Sequence, residues 1–119
     1  MSGAIDLGAK LATLDAPFQP RIVGYYNDNK LVVAKVKGEF VWHAHPETDD
    51  LFLVLSGRMT IQLRDGNVEL GPGELYVVPR GVEHCPISDE GAEILLIEPR
   101  GTANTGDSAE RDAAPEVEI

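Results

Sequence analysis

The 119-residue chain predicts an all-β domain, a sandwich or barrel of about nine short strands, on three observations. Its 12 glycines and 8 prolines fall mostly between apolar runs, where they mark turns rather than interrupt helices. Residues 58–64 alternate cleanly, with Met59, Ile61 and Leu63 on one face and Thr60, Gln62 and Arg64 on the other. Turn signatures recur at close intervals, among them Asn27-Asp28-Asn29-Lys30, Asp65-Gly66 and Gly71-Pro72-Gly73.

Taken in order, residues 3–15 carry Ile5, Leu7, Leu11 and Leu14, spaced for either a short helix or a turn-rich arm, and Pro17 and Pro20 stop any helix. Arg21–Tyr26 and Leu31–Lys37 read as strands around the Asn27–Lys30 turn, and Glu39–Ala44 as a further strand. After the Pro46–Asp49 loop, Leu51–Leu55 is apolar on both faces, which suits a strand covered on both sides. Ser56-Gly57 turns into the alternating strand 58–64, and Asp65-Gly66 turns it into Asn67–Leu70. Glu74–Pro79, Glu83–Ile87 and Glu93–Glu98 complete the set, separated by Arg80-Gly81 and Asp89-Glu90-Gly91. From Arg100 to Ile119 apolar periodicity fades, so the last dozen residues are expected to be mobile or laid over a neighbour. The organisation is therefore an arm at 1–20, a barrel at 21–99 and a tail at 100–119.

Composition narrows the function. A formal net charge of −10, from 20 acidic against 10 basic side chains, leaves no Lys/Arg cluster to displace counterions from nucleic acid or to hold an anionic membrane. A single cysteine, Cys85, excludes an intrachain disulfide and reads as a packed thiol. No basic-plus-apolar leader and no apolar run near 18 residues occurs, so a cytoplasmic location is expected.

All three histidines fall in two short patterns: Gly38-Glu-Phe-Val-Trp-His43-Ala-His45-Pro-Glu-Thr-Asp-Asp50 followed by Gly57, and Gly73-Glu-Leu-Tyr-Val-Val-Pro79-Arg-Gly81-Val-Glu-His84. On a strand, residues two apart share a face, so His43 and His45 aim two imidazoles at one point. A nearby carboxylate and a third imidazole from a distant strand would complete a mixed nitrogen and oxygen shell. The two patterns together resemble the paired motifs of the cupins, in the same order and spacing, over about Gly38 to Glu98.

That resemblance implies a double-stranded β-helix of the jelly-roll type with a metal inside its wider end. It assigns His43, His45 and His84 as ligands. Six residues separate Asp50 from Gly57, which places Asp50, not Asp49, at the family's glutamate position. The family's final asparagine falls on Ser88. Aspartate is one methylene shorter than glutamate, so either the backbone sits closer to the metal, or Asp50 binds through water, or the shell is three histidines with an open face. The 2-His-1-carboxylate sets of non-haem iron accept aspartate, and one divalent ion (Fe, Mn, Zn, Ni or Co) is the expected cofactor. Alternation adds Glu39, Val41, Phe52, Val54, Met59 and Ile61 as candidate pocket residues, the aliphatic ones equally readable as ordinary core. Trp42 faces away from the ligands. The implied function is a metal-dependent enzyme on a small organic molecule, of dioxygenase, isomerase or decarboxylase type, with Glu39 and Tyr76 the only candidate bases. The alternative is a metal-dependent binding or storage module without turnover. A homodimer is expected, because the doubly apolar strand and the coreless arm leave apolar surface to cover, with Leu11–Tyr26 able to extend a partner's sheet.

Overall fold

The computed structural model describes residues 3–119, so the first two residues of the arm lie outside it. The elements run α1 (Leu7–Leu11), β1 (Arg21–Tyr26), β2 (Asn29–Glu39), β3 (Asp50–Gly57), β4 (Met59–Leu63), β5 (Gly66–Leu70), β6 (Leu75–Val78) and β7 (His84–Pro99). The all-β architecture is as the sequence predicts. The β1–β2 hairpin turns at Asn27, whose φ of 53° is the left-handed conformation that asparagine tolerates.

β7 organises the rest. It pairs antiparallel with β2 along one edge and, along the other, with β4 near its start and β3 near its end. At about 3.3 Å per residue a straight 16-residue strand would run about 53 Å, beyond the molecule's longest dimension of 43 Å, so β7 bends. The bend lies at Asp89-Glu90-Gly91, the expected turn between two separate strands. Val36 pairs with Ala92 and Gly38 with Ser88, so residues 89–91 bulge opposite Lys37. Ser88 fastens the bulge: its hydroxyl donates to the Arg58 carbonyl (2.6 Å) and accepts from Gly91 N–H (3.0 Å). The turn signature is real, but flanking pairing on both sides absorbs it into one strand.

The expected strand over Glu39–Ala44 also differs. β2 ends at Glu39, and the next residues run as an irregular strap held to β7 by a bond from Phe40 N–H to Pro86 O (3.0 Å) and by a bridge between His43 and His84.

The sheet has two apolar faces. Inside lie Ala34, Val36, Phe52, Val54, Met59, Ile61, Leu70, Val78 and Ile94. Outside, Asp6 caps α1 by accepting from Ala9 N–H (3.1 Å), and Leu11 and Leu14 pack on Val23 and Val33 of β1 and β2. The arm thus folds on its own barrel. The tail also stays on its own chain: Ile22 N–H donates to Val117 O (2.7 Å) and Ile119 N–H to Ile22 O (3.0 Å). Polar groups rather than apolar periodicity fix it there, so the fading hydrophobic pattern gives no sign of its order. Among the described residues, no helix is long and apolar enough to cross a membrane.

Gly57 of β3 faces the β7 bulge with φ 77°, where a Cβ would clash with Gly91 O and the Ala92 backbone. Gly73 has a similar φ of 80° and open space around it. Gly73→Ala should therefore cost only the left-handed backbone penalty, about 1–2 kcal/mol, and Gly57→Ala at least twice that. Urea denaturation of the two variants measures the difference; equal losses would place the cost in the backbone conformation alone.

Candidate metal centre

The four sequence-assigned ligands come from three places in the chain. His43 and His45 lie on the strap after β2, Asp50 opens β3 and His84 opens β7. Reciprocal backbone bonds join His43 and His84 (3.0 and 2.9 Å), bringing their ring centroids to 4.3 Å. Gly81 N–H donates to His45 O (2.9 Å), so the Pro79-Arg80-Gly81 turn of the second motif docks against the first. Register with Val78 of β6 seats Asp50 on the inner face, as expected. All four side chains are buried, and one donor atom from each lies within 4.8 Å of every other.

The hydrogen bonding leaves these donors facing inward. His43 Nδ1 lies 2.9 Å from Val41 O, and His84 Nδ1 lies 2.9 Å from Val82 O. A carbonyl only accepts, so in both rings Nδ1 carries a hydrogen and Nε2 is the atom left to meet an ion. His84 Nε2 and His45 Nε2 lie 3.3 and 3.2 Å from the same oxygen, Asp50 Oδ2. Two acceptors so close need a proton or a cation between them. Asp50 Oδ1 is buried and finds no hydrogen-bond partner among the described residues, an orphan acceptor that a cation would satisfy. Ligands at about 2.0–2.2 Å from one ion lie about 3–4 Å apart, close to the spacing here. The donor set fits a divalent ion.

Protonation is divided within the cluster. Burial lowers His43 to about 4, against the bond to Val41 O, so this ring stays neutral. Burial also opposes charge on His45, but the Asp50 carboxylate outweighs it and the net shift is upward. For Asp50, burial pushes upward, while bonds from the His45 and His84 rings overcome it and hold the carboxyl below its ordinary value.

Beside the cluster is a cavity of about 60 Å³, walled by Phe18, Phe40, Phe52, Ile94 and Leu96 and reaching His43 and Asp50. Of the six candidate pocket residues only Phe52 lines it. Val54, Met59 and Ile61 are core. Glu39 is exposed and accepts from Gln62 Nε2 (3.1 Å), and Val41 is half-buried. The alternation that assigned these two fails because β2 ends at Glu39, which changes the parity and turns Phe40 inward. Tyr76 packs against the core. Asp49, the rejected neighbour of Asp50, instead accepts from Arg80 N–H (2.9 Å) at the surface. Trp42 lies outside, under the Arg64 guanidinium (3.8 Å). Cys85 is buried, and burial lifts its thiol to about 11, as befits a packed thiol.

Sequence reasoning missed Glu98. It shares the inner face of β7 with Ile94 and Leu96, lines the cavity, and lies 3.5 Å from buried Lys30. Its signal was a carboxylate in phase with two apolar residues on one strand. Burial, reinforced by the Asp50 charge, raises it to about 7 despite Lys30. Phe18 and Asn104, from arm and tail, also line the cavity without any local signal.

The Cupin domain family model matches residues 30–98. A cupin-2 domain containing protein from Shewanella frigidimarina is 43% identical over 81% of this chain and 94% of its own, with a TM-score of 0.79. NMB1881 from Neisseria meningitidis is 31% identical over 82% and 99% of the two chains, with a TM-score of 0.75. The uncharacterized protein YdbB of Bacillus subtilis is 36% identical over 59 residues, 49% of this chain and about half (52%) of that protein. Hydroquinone 1,2-dioxygenase from Sphingomonas sp. TTNP3, with 4-hydroxybenzoate bound, shares the fold at 16% identity over 96% and 77% of the chains, with a TM-score of 0.69. The likeness to these structures makes the rolled sheet a double-stranded β-helix.

Glu98 gives the stability a pH dependence. Its folded value of about 7 lies above the unfolded 4.5. The folded state therefore binds more protons between those values, and stability falls as pH rises through that window. At 1.36 kcal/mol per unit this is roughly 3 kcal/mol. In metal-free protein Glu98→Gln should flatten the fall, so urea denaturation at pH 5 and 8 should show wild type losing more stability than the variant. Parallel slopes would mean that Glu98 is ionised throughout.

Proposed function

This chain belongs to the cupin domain family, and we propose that it is a metal-dependent enzyme acting on a small organic molecule by dioxygenase, isomerase or decarboxylase chemistry. The carrying observation is the converging set of His43, His45, Asp50 and His84, with Asp50 Oδ1 unpartnered, beside an apolar, phenylalanine-rich cavity. A divalent ion held there supplies Lewis acidity, or redox activity if it is iron or manganese, to a ligand in the cavity. Val41 O and Val82 O fix the tautomers of His43 and His84, keeping Nε2 directed at the centre. The phenylalanines and Leu96 exclude water and favour an apolar group, and about 60 Å³ leaves room for only a small one. Glu98 is a carboxyl outside the ligand set, poised near neutrality, and suited to take or give one proton. A spare acid–base group favours an enzyme over a storage module, which needs none.

The metal is the first test. Protein prepared without a histidine tag should hold about one divalent ion per chain, and His45→Ala with His84→Ala should remove it; an undiminished ion in the double variant would refute the assignment. Asp50→Ala should weaken binding, and Asp49→Ala, altering only a surface contact with Arg80, should leave it nearly unchanged. Acidification should release metal through His45, whose value lies above 6.5, with affinity falling about tenfold per pH unit below it. Protonation of His43 adds to the loss only near pH 4. Oxygen uptake against a panel of small aromatic and keto acids separates enzyme from binding module.

The proposed assembly is a homodimer in the cytoplasm. Two cross-strand rows on the outer sheet face, Leu31–Ile97–Leu51–Val77 and Val33–Leu95–Leu53–Leu75, support it. α1 covers their β2 end, but Leu75 and Val77 at the β6 end are 55% and 39% exposed. Such a contiguous patch is the usual mark of an interface. Light scattering should give twice the 12.9 kDa chain mass, and Leu75→Glu should return it to 12.9 kDa. A wild-type mass of 12.9 kDa sinks the dimer.

A further inference from the structure

The strap carrying His43 and His45 is not part of a regular strand, so each of its backbone groups needs an explicit partner. The N–H and C=O of His43 both pair with His84, and His45 O accepts from Gly81. Ala44, buried between the two imidazoles, points its groups the other way, and one tail residue takes both. Asp107 Oδ1 accepts from Ala44 N–H (2.8 Å), and Asp107 N–H donates to Ala44 O (3.0 Å). Asp107 thus does for the strap what a neighbouring strand would do.

The residue before it fits just as closely. Gly106 has φ 53°, and a Cβ there would clash with Ala44 O and meet His43 Cδ2 at 3.0 Å. The tail backbone therefore lies against the edge of a candidate ligand ring. Asn104 contributes to the cavity wall, and Arg111 stands over the stacked Phe18 and Phe40 rings at 5.0 and 5.2 Å. The tail is held from the far side as well. Glu116 accepts from Lys30 Nζ (3.2 Å) and Gly101 N–H (3.0 Å), and Lys30 Nζ also donates to Thr102 O (2.9 Å).

We infer that the C-terminal segment is a wall of the metal centre and that Asp107 is its positioning residue, holding the His43–Ala44–His45 strap so that both imidazoles face Asp50. The inference rests on the metal reading above. Without the Asp107 carboxylate, Ala44 N–H is buried and unpaired, and the strap can rotate its two rings away from the ion. By linkage, an ion that draws His43 and His45 inward must also hold the tail in place.

Cobalt(II), followed by its visible absorption in competition with a chelator, tests this in the full chain. Loss of an outer-sphere partner commonly lowers metal affinity by about 10- to 100-fold, and Asp107→Ala should show a loss of that order with an altered cobalt spectrum. Asp107→Asn keeps an oxygen to accept from Ala44 and should recover affinity to within a few-fold of wild type. Equal affinity and spectrum in wild type and Asp107→Ala overturn the inference while leaving the metal reading intact. Wild type that takes up no cobalt overturns both. Should Asp107→Ala fail to fold, hydrogen exchange on the wild-type protein decides instead. Cobalt should slow exchange across residues 101–109 together with 41–47, and an unchanged tail overturns the inference.

Discussion

A buried carboxylate, Asp50, stands among three imidazoles, and much of the barrel is arranged to keep it there as an anion. An isolated charge in so dry a place would be neutralised by a proton. Here the His45 and His84 rings hold the carboxyl below its ordinary value, and Val41 O and Val82 O keep Nε2 of His43 and His84 aimed inward. Each of these partners sits where the sheet puts it. Asp50 depends on its register with Val78, His84 on being the first residue of β7, and His43 on a reciprocal backbone bridge to His84. A one-residue slip of β3 would turn Asp50 outward and Leu51 inward.

The long strand β7 makes that convergence possible. Its first residue delivers a ligand, its bulge at residues 89–91 lets it serve β4 at one end and β3 at the other, and its last turn inward is Glu98. Glu98 is held between opposing influences. Burial and, after it, the Asp50 charge favour its neutral form, Lys30 favours the anion, and the outcome is about 7. Polar chemistry at both ends of one strand thus flanks an apolar middle of Ile94 and Leu96 that builds the cavity wall.

Much of the site was legible because its chemistry is local. His43-Ala-His45 is a two-residue spacing, and the resemblance to the paired cupin motifs singled out Asp50 by its distance from Gly57 and His84 by the Pro79-Arg80-Gly81 turn before it. The pocket was less legible. Alternation carried backward from His43 selected Glu39 and Val41, but the strand ends at Glu39 and the irregular strap turns Phe40 inward. Periodicity holds only while the chain stays in a strand. Likewise Asp89-Glu90-Gly91 has every mark of a turn, and only pairing on both flanks shows it to be a bulge.

The sequence by itself determined the strand-rich architecture and the inner face of β4, and its resemblance to the paired cupin motifs picked out the four residues that converge and, through Asp50, the inner face of β3. Alternating apolar residues, turn-forming glycines and closely spaced histidines act through neighbours in the chain, and such effects can be read without coordinates. Tertiary structure alone decided that Glu98 would stand opposite Lys30, that Phe18 and Asn104 would close the cavity, and that Asp107 would satisfy Ala44. The tail that supplies two of these has no hydrophobic pattern to betray its order. It is held by backbone and carboxylate hydrogen bonds across more than sixty residues of chain, and bonds of that kind are specified by three-dimensional proximity rather than by spacing.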